Sequence, residues 1–436
     1  MSEAPRKRLA SLDQFRGYTV AGMFLVNFVG RYGEMHHLLK HHTTYCSYAD
    51  TIMPQFFFAV GFAYRLTFGR RLQTEGAAVA YGRIIRRFLG LGLLAIVLYS
   101  ADPVAQNWND WQNLVKSNGY EALFYKSIKQ TWFQTLLHIA VTSLWLLPVI
   151  RAGWKVRVLY GVASAILHLV LSHWFYFDWA HVSPGTIDGG PLGFLTWSIP
   201  TLAGTLACDA FLVEGKPKVA AVFGWGILFM ALGWGMSGLT RLYDLPAETT
   251  AQLTAESEAI EQLTETNSKE PNAKKKKKVA AEIEERTKKL HSGRYASDAV
   301  IPNSARWKGK SVTSLVCEPP FVPPPDEFHR QRNYWQMSQM DGTISYLVFS
   351  TGISLIFYVL FYFISDVVGL QIGIFRTMGT NALFGYVIHG IVDSGVSPFF
   401  PKDSPLTAAW ISFVIYFFIC WLFIRTLEKQ KIYIRL

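Results

Sequence analysis

Four stretches of this sequence place side chains able to do chemistry inside otherwise apolar chain. An early block opens with Arg8, Asp13 and Arg16 and carries Asn27 near its far end. The loop beyond it holds His36, His37, His41 and His42, and the next block starts at Ala49 and Asp50 with Pro54 a turn later. A late block contains Gly379, Thr380 and Asn381, followed by His389. Polar groups in lipid are costly unless paired, so each is a candidate for function as well as for structure. A neutral imidazole, with a pKa of about 6.5, can take a proton from a hydroxyl or an ammonium. A carboxylate such as Asp50 can orient that ring, and a carboxamide such as Asn27 can donate to an oxygen that gathers negative charge. Plainer roles compete. Asp13 and Arg16, three apart, can pair with each other; Asp50 can cap a helix; Asn27 can join helices; and the adjacent loop histidines, whose pairing matches no helical or strand ligand spacing, can form a solvated patch or a weak metal site.

The elements that must position these groups are apolar blocks. Of the 436 residues, 50% are hydrophobic and 15% aromatic, and the apolar residues gather in runs long enough to cross roughly 30 Å of hydrocarbon. The pattern predicts an all-α polytopic membrane protein with about ten spans: about Phe15 to Gly33, Ala49 to Phe68, Ile84 to Ala101, Thr131 to Ile150, Val156 to Tyr176, Leu192 to Val213, Val219 to Leu239, Ile344 to Val367, Phe375 to Val396 and Leu406 to Leu427. The first is expected to be a retained helix rather than a cleaved signal. Between Asp102 and Lys129, Trp108, Trp111, Leu114 and Val115 recur at helical spacing among polar residues, which predicts a helix lying on the membrane surface.

The formal charge of +11 would suggest nucleic acid in a soluble protein, but the basic residues sit at alternate ends of the apolar blocks. Arg6, Lys7 and Arg8 precede the first; Arg65, Arg70, Arg71, Arg83, Arg86 and Arg87 lie between the second and third; Arg425, Lys429, Lys431 and Arg435 follow the last. The positive-inside rule then puts both termini in the cytoplasm, with the lipid bilayer and not nucleic acid as the partner. Residues 1–242 and 344–436 form the predicted membrane domain. Residues 243–343, rich in Glu, Thr and Lys with lysines at 274–278, form a soluble extracytoplasmic insertion with helices over Pro246 to Thr266 and Lys275 to Leu290. The four cysteines follow no metal spacing, and Cys46 and Cys317 map to the same outer side, as two free thiols or as one disulfide.

The run Arg8-Leu-Ala-Ser-Leu-Asp13-Gln-Phe-Arg16-Gly, the following Val26-Asn27-Phe28, then Lys40-His41-His42, Tyr48-Ala49-Asp50-Thr-Ile-Met-Pro54 and Phe56-Phe-Phe-Ala-Val-Gly61 resemble the opening of the heparan-alpha-glucosaminide N-acetyltransferase family of transmembrane acyltransferases. Fainter likeness continues through Leu137-His138-Ile139-Ala140, Asp188 to Gly204, Gly379-Thr-Asn381 with His389, and Lys429 to Arg435. The family has an arginine where this chain has His138. The loop between Asn27 and Asp50 differs in length, so His41 and His42 both fall near the family's catalytic histidine, with His42 slightly favoured. The resemblance implies transfer of an acetyl or other acyl group from cytosolic acetyl-CoA or another acyl-CoA to an extracytoplasmic glycan amine or hydroxyl, without a metal. It implies His42 or His41 with Asn27 and Asp50 as the catalytic set, Arg16, Arg83, Arg86 and Arg87 as the acyl-CoA anchors, and Asn381 and His389 lining the site. A bacterial inner-membrane location and a homodimer accord with it. The competing expectation, from the intramembrane polar residues alone, is a secondary transporter for a small polar or anionic substrate.

Overall fold

The computed structural model describes residues 9–434 apart from 100, 102, 183 and 213–215, and the side chains there other than 273 and 291–293. Arg6, Lys7, Arg8, Asp102, Val213 and Arg435 lie outside the described residues. The chain is 73% helix, with no strand among the described residues. The long helices are α1 (Ala10–Val29), α2 (Tyr48–Glu75), α3 (Ala77–Leu98), α4 (Trp108–Asn118), α5 (Thr135–Leu146), α6 (Trp154–Leu171), α7 (Phe194–Phe211), α8 (Val219–Ser237), α9 (Ala247–Ser268), α10 (Ala273–Arg294), α11 (Ile344–Tyr362), α12 (Gly373–Thr380), α13 (Ala382–Val396) and α14 (Leu406–Lys429).

Among the described residues four helical stretches, Trp154–His181, Val219–Tyr243, Ile344–Val367 and Leu406–Lys429, are long and apolar enough to cross a membrane. Their outer faces remain apolar: Leu159, Trp174, Trp225 and Val414 are each more than half exposed. Water would disfavour so much contiguous apolar surface, whereas lipid would not. The expected span at Phe375 to Val396 is broken at Asn381, whose backbone leaves the helical region at φ −127° and ψ 49°. Its carboxamide donates to the Ile432 carbonyl (2.9 Å) and accepts from the Ile434 amide (3.0 Å). The side chain thus ties the break between α12 and α13 to the segment after α14.

Close helix pairs are set by glycines that let backbones touch. A Cβ on Gly61 of α2 would collide with the Thr201 carbonyl of α7, and one on Gly204 of α7 with the Phe58 carbonyl of α2. Gly17 of α1 and Gly379 of α12 approach the Phe375 and Asp13 carbonyls in the same way. Around these contacts Phe15, Phe58, Tyr358 and Phe361 form a fully packed aromatic cluster with edge-to-face rings. Gly61→Ala is expected to cost about 1–3 kcal/mol or more, because a backbone rather than a side chain must give way. Gly69→Ala on the same helix, with nothing within 4 Å of its Cβ position, should be neutral or stabilising by up to about 1 kcal/mol through helix propensity. Thermal unfolding of the two purified variants checks this; equal midpoints would sink the close-packing account.

The polar region between α8 and α11 contains the hairpin α9–α10, tied by the ion pair Arg286 to Glu256 (2.7 Å), followed by mostly irregular chain. That chain packs back on the helices: the Phe321 amide donates to the Cys46 carbonyl (3.1 Å) and Arg332 Nη2 to Thr43 Oγ1 (2.6 Å). The four cysteines are free and buried, and Cys317 lies 3.1 Å from Ser237 Oγ. The helix over Trp108–Asn118 buries none of its residues and stacks Trp108 on Trp111 at 4.7 Å.

Candidate functional site

The first turn of α2 builds the site. Ser47 precedes the helix in extended conformation. Its hydroxyl accepts from the Asp50 amide (3.3 Å), while Asp50 Oδ2 accepts from the Ser47 amide (2.8 Å). This capping box uses one oxygen of a fully buried carboxylate. The other, Oδ1, accepts from His41 Nδ1 at 2.8 Å. Pro54 completes the arrangement from one turn away. Lacking an N–H, it leaves the Asp50 carbonyl without its helical donor, and the Tyr346 hydroxyl of α11 donates to that oxygen at 2.6 Å. Asp50 therefore caps a helix and holds an imidazole at once.

His41 Nε2 faces Asn27 Oδ1 at 3.4 Å. With Nδ1–H committed to Asp50, Nε2 carries either a lone pair or the second proton of an imidazolium. Oδ1 faces the ring in the second case, and the amide must turn to present Nδ2–H₂ in the first. The His41 side chain is 43% exposed and lines a cavity of about 310 Å³. Burial alone would press its pKa down; the hydrogen bond and charge of Asp50, with the charge of Asp188, outweigh this and hold it above the ordinary 6.5. Cys46 lies close by, but burial and then the Asp50 charge push its thiol well above the usual range. It stays protonated and is a poor nucleophile.

His42 points elsewhere, although it reaches the same cavity. Its Nε2 donates to the His37 carbonyl (2.8 Å) and its ring stacks on Tyr45 at 4.3 Å. The structure thus brings Asn27, His41 and Asp50 together and leaves His42 out of that chain of hydrogen bonds. Among the described residues no group of three His, Cys, Asp or Glu is placed to hold a metal.

A second cavity, about 830 Å³, is lined by Arg16, Arg71, Arg87 and Arg376 together with Asp13 and Glu428. Phe56 and Tyr386 line both cavities, so the two spaces meet at a two-ring septum. The Tyr386 hydroxyl is hydrogen-bonded to that of Tyr99. Arg83 is held on the surface by Glu75 at 2.9 Å, and neither it nor the exposed Arg86 lines the cavity. His389 donates to the Tyr386 carbonyl and stacks on Phe24 at 5.9 Å, lining neither space. Asn381 itself lines neither cavity, but its neighbours Thr380 and Ala382 and the segment it anchors, with Tyr433 and Ile434, form part of the wall of the larger one.

Two wall residues of the smaller cavity escape a reading by residue type, Asp188 and Gln339. Gln339 Nε2 donates to Asp188 Oδ1 at 3.1 Å. Burial pushes the Asp188 carboxyl up to about 6. In the sequence Asp188 sits in Thr-Ile-Asp-Gly-Gly-Pro, which reads as a turn, and Gln339 lies far along the chain. Beyond the family likeness that begins at Asp188, the local signal is the pair of glycines after it, a mark of unusual backbone.

Fold and site together define an all-helical chain, apolar on the outside of several helices, with an imidazole–carboxylate–carboxamide set in one cavity and a guanidinium-lined cavity behind it. No protein-family model matches the chain, and no curated protein matches it.

Proposed function

We propose that the chain is an integral membrane acyltransferase with about ten spans, both termini cytoplasmic and residues 243–343 on the far side, moving an acetyl or other acyl group from cytosolic acyl-CoA to an extracytoplasmic glycan amine or hydroxyl. The carrying observation is His41 between Asp50 and Asn27 at one end of two adjoining cavities, with four arginines at the other. The likeness of residues 8–61 to the heparan-alpha-glucosaminide N-acetyltransferase family points the same way. Phosphates cannot cross lipid, so the donor's nucleotide end belongs in the arginine-lined cavity while its thioester arm passes Phe56 and Tyr386. In the smaller cavity His41 Nε2 takes the acceptor's proton as the acceptor lone pair attacks the thioester carbonyl. Asn27 Nδ2 donates to the oxygen as it becomes negative. The carbon–sulfur bond then breaks, and the CoA thiolate leaves and takes up the proton.

The test is release of free thiol from acetyl-CoA by the purified chain in lipid nanodiscs, supplied with envelope glycan. Arg16→Ala and Arg87→Ala should each raise the KM for acetyl-CoA by about tenfold or more, the worth of one charge-assisted hydrogen bond. Arg86→Ala should leave it within about twofold, as for a solvated charge. A chain that binds a small anion without turning over any thioester would instead be a transporter, for which two cavities parted by a septum are also suited.

A further inference from the structure

We propose that Asp188, positioned by Gln339, forms the acceptor subsite of the smaller cavity, its free carboxylate oxygen holding a hydroxyl or amine donor of a sugar ring beside His41. This rests on the acyl-transfer reading and adds the acceptor's recognition to it. The carboxylate is not used structurally: among the described residues its hydrogen bond is the one from Gln339, at Oδ1, and it caps no backbone amide. Oδ2 is therefore left for a ligand. Gln339 Oε1 is closed off from the cavity space and acts on the His41 side chain, so Gln339 spans from the imidazole to Asp188 and fixes the carboxylate beside the ring. A free carboxylate oxygen held beside the imidazole accepts from a hydroxyl or amine adjacent to the one that reacts, and neighbouring substituents of a sugar ring present such a pair.

The backbone is arranged for this. Asp188 is held in the left-handed region at φ 52°, followed by Gly189 at 81° and Gly190 at 57°. A non-glycine residue there is strained and persists only where its surroundings over-determine it. They do: the Trp197 indole N–H donates to the Asp188 carbonyl (2.8 Å), the Gly189 amide donates to the Met340 carbonyl (2.8 Å), and a Cβ on Gly189 would lie 3.2 Å from Gly342 Cα. The same contacts fix Gln339, so the end of the region between α8 and α11 supplies half of the subsite.

The experiment uses the full chain in nanodiscs and envelope glycan stripped of its acyl groups by mild base. Thiol release from acetyl-CoA is followed against glycan concentration, and acetyl-CoA binding is measured by calorimetry. Asp188→Asn and Gln339→Ala should each raise the KM for glycan by about tenfold or more while the Kd for acetyl-CoA stays within about twofold. Unchanged glycan KM in both variants, or loss of acetyl-CoA binding along with it, overturns the subsite. Gln339→Ala keeps the strained turn intact and so separates binding from folding. A wild-type chain that turns over acetyl-CoA but transfers nothing to the glycan refutes the sugar class. One that neither binds nor turns over acetyl-CoA refutes acyl transfer itself, visible before any variant is made.

Discussion

His41→Ala is expected to lower acyl transfer by about 10³-fold, within the range a general base contributes, while His42→Ala leaves it within a few fold. The two residues are adjacent, equally able as bases in solution, and separated only by direction. His41 has its Nδ1 proton on the Asp50 carboxylate and its Nε2 toward the cavity, whereas His42 spends Nε2 on a backbone carbonyl and its ring face on Tyr45. His41→Ala should also be well tolerated by the fold, because the Ser47–Asp50 capping box survives it. The pH profile gives an independent reading. The neutral ring is the base, so the rate rises with pH as His41 loses its proton, and because its pKa is held above 6.5 the acidic limb should have its midpoint above that value. His42→Ala should not move the midpoint. If His42→Ala abolishes thiol release and His41→Ala does not, the assignment is wrong.

Residue type and spacing carried the site as far as the helices extend. Asn27 on α1, and Asp50 with Pro54 on α2, are readable because a helix fixes where each side chain goes; the four-residue spacing of Asp50 and Pro54 even encodes the carbonyl freed for Tyr346. The loop between the two helices has no period. Which of two neighbouring histidines turns inward depends on contacts such as Ser47 to the Lys40 carbonyl (2.7 Å) and Arg332 to Thr43, the latter reaching across most of the sequence. Gln339 was hidden for the same reason, since a cavity wall shared by two distant irregular segments leaves no local pattern, and Asp188 stood out only as the start of a family-like run with no role attached. Charge was legible only as topology. Arg83 and Arg86 lie among the same basic residues as Arg87, yet only Arg87 reaches the cavity, a distinction of helix face within α3. Glycines were legible as a resemblance and explained by packing: Gly17, Gly61, Gly204 and Gly379 admit a neighbouring backbone.

Asp50→Asn should separate the two tasks of that residue, lowering the turnover rate on the order of 10⁴-fold, as loss of an imidazole-orienting carboxylate does elsewhere, while leaving the fold nearly untouched. The asparagine carbonyl can still accept from the Ser47 amide and preserve the cap. Its NH₂ then faces His41 Nδ1, which must accept instead of donate, so the proton moves to Nε2 and the ring presents no lone pair to the acceptor. Asp50→Ala also removes its half of the capping box, leaving the Ser47 amide without its acceptor, and should cost a further 1 kcal/mol or so of stability. The expected pair of results is a thermal midpoint for Asp50→Asn within a few degrees of wild type and a lower one for Asp50→Ala, with transfer lost in both. The residual rate of Asp50→Asn carries a second signature. Removing the adjacent negative charge lowers the pKa of His41, because the charged ring loses the partner that favoured it, so the acidic limb must move to lower pH. A carboxylate that served only as a helix cap would move neither the limb nor the rate when replaced by asparagine, and that outcome would remove Asp50 from the chemistry.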